Sequence, residues 1–382
     1  MRTIFLYFKK IKMSPGTLDV AIWVGVFAAT VVTLLASLIF AERPRILNTP
    51  HACLLSNEHV KGPTIFVSVA SYRDPRCVAT VRSAIERAAA PFRLRFGVCV
   101  QEHPSDDDTL PDPSQWLSVQ GMAAHVRVTR VSHADAKGPA YARYLCNTMY
   151  DGEDLFLQID SHMEFVDAWD DQLLRQRADC IRQSGHDRVI LSHYPPAVMS
   201  KEVACGGVTV QMALGEMEEH GVPSFHSNQG ASIPHPTPSW YMACGFLFAP
   251  GQFLRDVPYD PHMKCLFWGE EVLLSARAWT SGYDIYNPSA AVCVHQYIRL
   301  EQPNVVYDQI DGKTIEMWLC AQRLAVCRVL RLLALPLPPD MSPDAITMVD
   351  ASVYGVGDAR PLVQYMRESG IDALMRGGRD AE

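Results

Sequence analysis

The chain has 382 residues, 48% of them apolar and 20% charged, with a formal net charge of -8. That apolar content excludes a disordered or fibrous class, and the negative balance excludes a protein whose main task is coating polyphosphate, which needs a basic face. The length allows one large domain or two ordinary ones.

Cysteine use is unspecific. Eleven cysteines run from Cys53 to Cys327 with no C-x-x-C pair, so neither a zinc knuckle nor a thioredoxin-type motif is written here. Most lie within apolar runs and read as buried small hydrophobes, with room for one or two bridges.

In chain order, the first element is the uncharged run from Val20 to Phe40, which matches the roughly 20 residues that cross a bilayer core as a helix. It is longer than the apolar region of a cleaved signal peptide, and no small-x-small site follows Phe40, so it reads as a retained anchor. Arg2, Lys9, Lys10 and Lys12 precede it, against Arg43 and Arg45 after it. The positive-inside bias then puts residues 1–19 in the cytoplasm and everything past the span in a lumen or outside. Residues 41–61, with Pro44 and Pro50, read as a stem.

Past Lys61 short β-branched runs alternate with helical patterns. Strands are expected at 64–70, 92–100, 124–131, 155–159 and 189–192, with helices at 76–90, 139–149 and 169–182 between them. Such alternation means a mostly parallel sheet with helices on both faces. Residues 200–240, with Gly206-Gly207, three histidines and prolines 223, 234, 236 and 238, read as a long irregular loop or lid. Regular structure returns at 241–250, and a helix at 271–281 and strands at 283–286 and 290–294 follow. Residues 315–335 read as an apolar helix with basic edges at Arg323, Arg328 and Arg331, and 350–382 as a small, partly polar appendage.

The most informative stretch is Leu155 to Phe165, LFLQIDSHMEF. It delivers Asp160 and His162 at the carboxyl end of a buried strand, where ligands bind in open α/β sheets. The two side chains can share one divalent cation, and mixed oxygen and nitrogen donors suit manganese as well as zinc. A bare D-x-H is also common as a polar turn. Glu164 is a minor alternative ligand, since in an extended segment it points with His162.

Several blocks together resemble the polypeptide N-acetylglucosaminyltransferase family. They are IFVSVASYRDP (65–75), FGVCVQ (96–101), Gly138-Pro139 with Ala142-Arg143, LQIDSHM (157–163), VPYDP (257–261) and LFWGEE (266–271), in order over about residues 62 to 300. Members attach α-linked GlcNAc to hydroxyproline of a ubiquitin-ligase adaptor or to threonine of mucin-like Golgi proteins. The family is similar in turn to mucin-type transferases of the GT-A fold, in which a D-x-H and a distal His hold manganese.

The resemblance implies the following roles. Asp160, His162 and His295, the last closing a late apolar strand, would hold the cation; a plain strand-closing histidine is the alternative for His295. Glu270 and Glu271 open a helix. Either they partner its dipole, or one of them faces the donor sugar, with Glu271 slightly favoured. Trp268 is a sugar platform or a core residue. After the first strand, Tyr72 and Arg73 would stack on and bind the nucleotide, unless an Arg-Asp pair merely closes the turn. Asp135, Lys137 and Arg143 belong to a second nucleotide-binding block, in which Lys137 and Arg143 neutralise phosphate at a helix start; solvated charges beside a capped helix are the other reading. The histidines of the 200–240 loop and Cys205 carry no ligand spacing.

The expected protein is thus an α/β glycosyltransferase of GT-A type, with a Rossmann-like mixed, mostly parallel sheet flanked by helices. Its parts are a cytoplasmic tail (1–19), a signal anchor (20–40), a stem (41–61), a luminal catalytic domain (62–310) and a helical appendage (311–382). The resemblance implies UDP-GlcNAc as donor, manganese as cofactor, a polypeptide hydroxyl of Thr or Ser as acceptor, retention of configuration and a Golgi membrane location, with no nucleic-acid partner. The alternatives are hydroxyproline or another acceptor, or a non-catalytic membrane protein that kept the fold.

Overall fold

The computed structural model describes residues 62–104, 106, 111–117, 119, 121–198, 207–298 and 312–377. The expected tail, membrane anchor and stem (1–61) lie outside the described residues. Among the described residues no helix is long and apolar enough to cross a membrane.

The strand-helix alternation builds one eight-stranded sheet. Its strands in sequence are β1 (Ile65–Tyr72), β2 (Leu94–Glu102), β3 (Val126–Ser132), β4 (Leu155–Asp160), β6 (Val189–Ser192), β9 (Thr237–Ser239), β10 (Phe246–Pro250) and β11 (Asp284–Asn287). Their spatial order is β3-β2-β1-β4-β10-β6-β11-β9. β1 runs parallel to β2 and β4, β2 to β3, and β6 to β11, whereas β10 is antiparallel to β4 and β6 and β9 is antiparallel to β11. The sheet is mixed and mostly parallel, and the carboxyl ends of β1 to β4 and β6 open on one side.

Alternate residues of β1 feed two cores, as period-two geometry requires. Ile65, Val67 and Val69 face α1 (Cys77–Glu86) and α3 (Trp169–Ser184). Phe66 faces the opposite core, with Leu274 and Ala278 of α4 (Glu270–Thr280). On that same side α2 (Gly138–Asn147) packs Ala142, Leu145 and Cys146 on Cys99 and Val131. A second small sheet pairs β5 (Met163–Phe165) with β12 (Cys293–His295), setting His295 opposite Met163. The Gln296 N–H also donates to the His162 carbonyl at 3.1 Å. This pairing returns a late strand to the end of β4.

Two expectations are corrected. The described part of 200–240 is not an irregular loop: β7 (Val208–Met217) and β8 (Pro223–Ala231) form an antiparallel hairpin, and β9 joins the main sheet. Val208, Val210 and Met212 are buried at period two, and the prolines sit where a ladder tolerates them: Pro223 at a strand start and Pro238 on an edge strand. Arg328 is not a basic helix edge. It lies within α5 (Gly312–Leu332), 1% exposed, with Nε donating to Asp260 Oδ2 at 2.8 Å and its other nitrogens to the Thr347 and Val349 carbonyls.

The reason is that α5 has little solvent edge there. Its Val326, Val329, Leu330 and Leu332 share one core with Val272, Leu273 and Ala276 of α4, and with Tyr365 and Met366 of α6 (Leu362–Glu368) and Ile371 of α7 (Ile371–Gly377). A basic side chain enclosed there must find a carboxylate. The nine described cysteines are free, and all but Cys320 are buried, as their apolar settings imply.

Candidate active site

The site lies at the carboxyl ends of β1, β4 and β6. β4 ends on Asp160 and the chain bends at Ser161 and His162 before β5. The bend turns His162 inward, while Glu164 is exposed, so Glu164 is no ligand alternative. Asp160, His162 and His295 each offer one ligand atom, and these atoms lie within 4.8 Å of one another. The two imidazole centroids are 4.5 Å apart. His295 Nε2 stands 3.2 Å from Asp160 Oδ2, and its Nδ1 is buried without a hydrogen-bond partner. One carboxylate and two imidazoles converging on a point, one of them with an orphaned nitrogen, fit a divalent cation.

The environment keeps Asp160 ionised. Burial opposes its charge, but the His295 hydrogen bond and the Arg143 guanidinium hold its carboxyl well below the usual carboxylate range. Gly245, just before β10, leaves this space open: a Cβ there would stand 3.0 Å from Asp160 Oδ2. His162 is held from the β1–α1 turn, where Asp74 Oδ2 lies 2.7 Å from its Nδ1.

Arg143 corrects an expectation. Its buried guanidinium does not stand open for phosphate; Nη2 donates to Asp160 Oδ1 at 2.9 Å and Nη1 to Glu270 Oε2 at 2.6 Å. Two enclosed carboxylates require such a cation. Burial alone would make the guanidinium easier to deprotonate, but Glu270 and Asp160 outweigh it and keep it charged. This bridge ties Glu270, more directly than the slightly favoured Glu271, to the Asp160 cluster. Burial is also the main cause of the raised Glu270 pKa, which Arg143 opposes. Glu271 accepts from the Cys244 N–H at 2.9 Å and from the Tyr194 hydroxyl. Burial nevertheless pushes its pKa up to about 7.

The nucleotide-side candidates are arranged unevenly. Arg73, at φ 45, closes on Asp106 with Nε at 2.9 Å and Nη2 at 2.5 Å. The pair that closes this turn is therefore Arg73–Asp106, and the guanidinium is not an open phosphate fork. Tyr72 is half-buried beside it and Asp135 is exposed in the turn before α2. Lys137 precedes α2 with Nζ 5.3 Å from the Tyr141 ring centroid; burial and then Lys264 lower its pKa. Gly138 follows at φ +83, and a Cβ there would sit 3.2 Å from the Cys265 Cα, so the helix start and the 260s loop approach closely. Trp268 packs on the core shared by α4 and α5, while Phe267 next to it is 51% exposed. Of these two aromatic side chains, Phe267 is the one that faces solvent.

Sequence reasoning gave Asp74 only a part in a turn-closing Arg-Asp pair and did not single out Asp106, Tyr194 or Gly245. Asp74 and Tyr194 follow β1 and β6, so the carboxyl-end rule points to both; nothing local marks Asp106 or Gly245.

The fold resembles that of GT-A glycosyltransferases. It is similar to the crystal structure of GalNAc-T7 with UDP, GalNAc and Mn2+, at a TM-score of 0.54 and 13% identity, over 82% of this chain and 58% of that one. The chain thus spans less than two thirds of that structure's length. The S. aureus TarS 1-349 structure in complex with UDP-GlcNAc matches at a TM-score of 0.41 and 14% identity, over 84% of this chain and 92% of that one. Among curated proteins none matches the chain. A family model described as Glycosyltransferase (GlcNAc) matches residues 64–118 and 113–375. The chain belongs to this glycosyltransferase family.

Proposed function

We propose that the chain transfers N-acetylglucosamine from UDP-GlcNAc to a threonine or serine hydroxyl of a mucin-like polypeptide, with retention of configuration. The observation that carries this reading is the convergence of Asp160, His162 and His295 within 4.8 Å, wired through Arg143 to Glu270. It is supported by the family match over most of the chain.

In this reading Asp160, His162 and His295 hold a divalent cation, manganese by preference. When bound, the cation acts as a Lewis acid toward the diphosphate charge that builds as the glycosidic bond breaks. Lys137 at the start of α2 adds a positive charge on the nucleotide side, with Asp135 close enough to act on it, and Tyr72 at the end of β1 belongs to the same nucleotide-binding reading. Glu270, oriented by Arg143, accepts hydrogen bonds from sugar hydroxyls, and Glu271 is held beside it by Tyr194 and the Cys244 N–H. The acceptor oxygen bonds to the anomeric carbon as its bond to the phosphate oxygen breaks, and the acceptor proton passes to that departing oxygen. Residues 20–40 anchor the protein as a single-pass type II Golgi membrane protein, with the catalytic domain in the lumen.

The test is UDP release by the full-length chain from UDP-GlcNAc with Mn2+ and a threonine-rich peptide. Glycopeptide formation and loss of release on chelation are expected. No release with any nucleotide sugar or divalent metal sinks the enzyme reading.

A further inference from the structure

The Asp74 side chain lies 88 residues from His162 in sequence and is 1% exposed. It follows Arg73, whose left-handed backbone turns the chain out of β1. Its two oxygens have different duties. Oδ1 accepts from the Arg76 N–H at 3.0 Å, which closes the turn into α1. Oδ2 accepts from the Ser161 hydroxyl at 2.9 Å and faces His162 Nδ1 at 2.7 Å. An ionised carboxylate is acceptor-only, so the neutral imidazole must carry its proton on Nδ1, which leaves coordination to Nε2.

We propose that Asp74 is the positioning residue that fixes the ring orientation and tautomer of His162 as a metal ligand. The inference rests on the metal site of the proposed function and concerns how this chain prepares it. A carboxylate behind a ligating imidazole also raises its basicity, and loss of such a partner typically costs about 10- to 100-fold in metal affinity. The arrangement supplies its own discriminating variant. In Asp74→Asn the Arg76 N–H needs an acceptor, so the side-chain oxygen stays at the turn and the amide nitrogen is left facing Ser161 and His162. That amide donates, so His162 Nδ1 becomes the acceptor and Nε2 takes the proton. The turn survives, since Asn makes such i to i+2 side-chain turns as well as Asp, but the ligating nitrogen is blocked.

The experiment measures Mn2+ binding to the full-length chain in detergent, without substrate, by electron paramagnetic resonance of free Mn2+ at pH 8. Alongside it, 15N-detected long-range correlation spectra report the His162 tautomer in the metal-free protein, assigned with His162→Gln. The expected result is an Nδ1–H tautomer in the wild type, an Nε2–H tautomer in Asp74→Asn, and Mn2+ affinity at least about 10-fold weaker in the variant at an unchanged metal-free melting temperature. Undiminished binding by folded Asp74→Asn overturns the role of Asp74 alone. An Nε2–H tautomer in the wild type overturns it too, and this measurement stands even if the variant does not fold. No Mn2+ binding by the wild type overturns the metal site itself, and the proposal with it.

Discussion

Replacing Arg143 with methionine tests the wiring of the site directly. The side chain is buried and its two donor groups hold Asp160 at 2.9 Å and Glu270 at 2.6 Å. Arg143→Met keeps much of the volume but leaves two enclosed carboxylates facing each other without a cation. Removing one partner of a buried pair costs about 3–5 kcal/mol. Glu270 can relieve part of that cost by taking a proton, because burial and Asp160 already push its pKa up and Arg143 is what opposes them. The expected loss is therefore about 3 kcal/mol at pH 8 and less at pH 5. Urea unfolding at both values reads it, and Arg143→Met/Glu270→Gln should recover at least about 1 kcal/mol of it through non-additivity. Added Mn2+ should stabilise the variant more than the wild type, by supplying the missing charge beside Asp160. A folded Arg143→Met protein with wild-type stability at both pH values, and no coupling to Glu270→Gln, would refute the bridge as a structural necessity.

Three further outcomes follow from the same geometry. Glu271 titrates at about 7 in the folded protein against 4.5 ordinarily. The folded state thus keeps a proton that the unfolded chain releases, and stability should fall as pH rises from about 4.5 through 7, by at most about 3 kcal/mol; Glu271→Gln should flatten that slope in urea titrations. Asp160→Asn should abolish UDP release while leaving the far-ultraviolet circular dichroism unchanged, and wild-type activity would remove Asp160 from the metal site. Gly245→Ala places a methyl 3.0 Å from Asp160 Oδ2 and should weaken Mn2+ binding several-fold at a nearly unchanged melting temperature.

Much of the sheet is legible along the chain. The run at 64–70 overlaps β1, the run at 155–159 falls within β4, and Pro139 falls at the start of α2, because strand and helix periodicity report local backbone geometry and burial together. The 200–240 stretch misleads because its prolines and histidines read as punctuation, while the alternation of Val208, Val210 and Met212 is short. Asp160 and His162 are legible at a strand end. His295 has a role along the chain only through the family resemblance, and it is the pairing of β12 with β5 that carries it beside them.

By itself, then, the sequence determines the alternation of elements, the uncharged run at 20–40 and the residue types that converge at the end of β4. The tertiary structure alone decides which charges meet. Arg143 reaches Glu270 across 127 positions, Asp74 reaches His162 across 88 and Tyr194 reaches Glu271 across 77. The second meeting rests on the parallel pairing of β1 with β4, the third on β10 lying antiparallel beside β6, and all three on burial, which makes each ionised group seek a partner within hydrogen-bond reach. Local periodicity encodes neither the strand order nor that enclosure. This is why Arg143 and Arg73, candidate nucleotide binders when read along the chain, are found holding, respectively, Glu270 with Asp160, and Asp106.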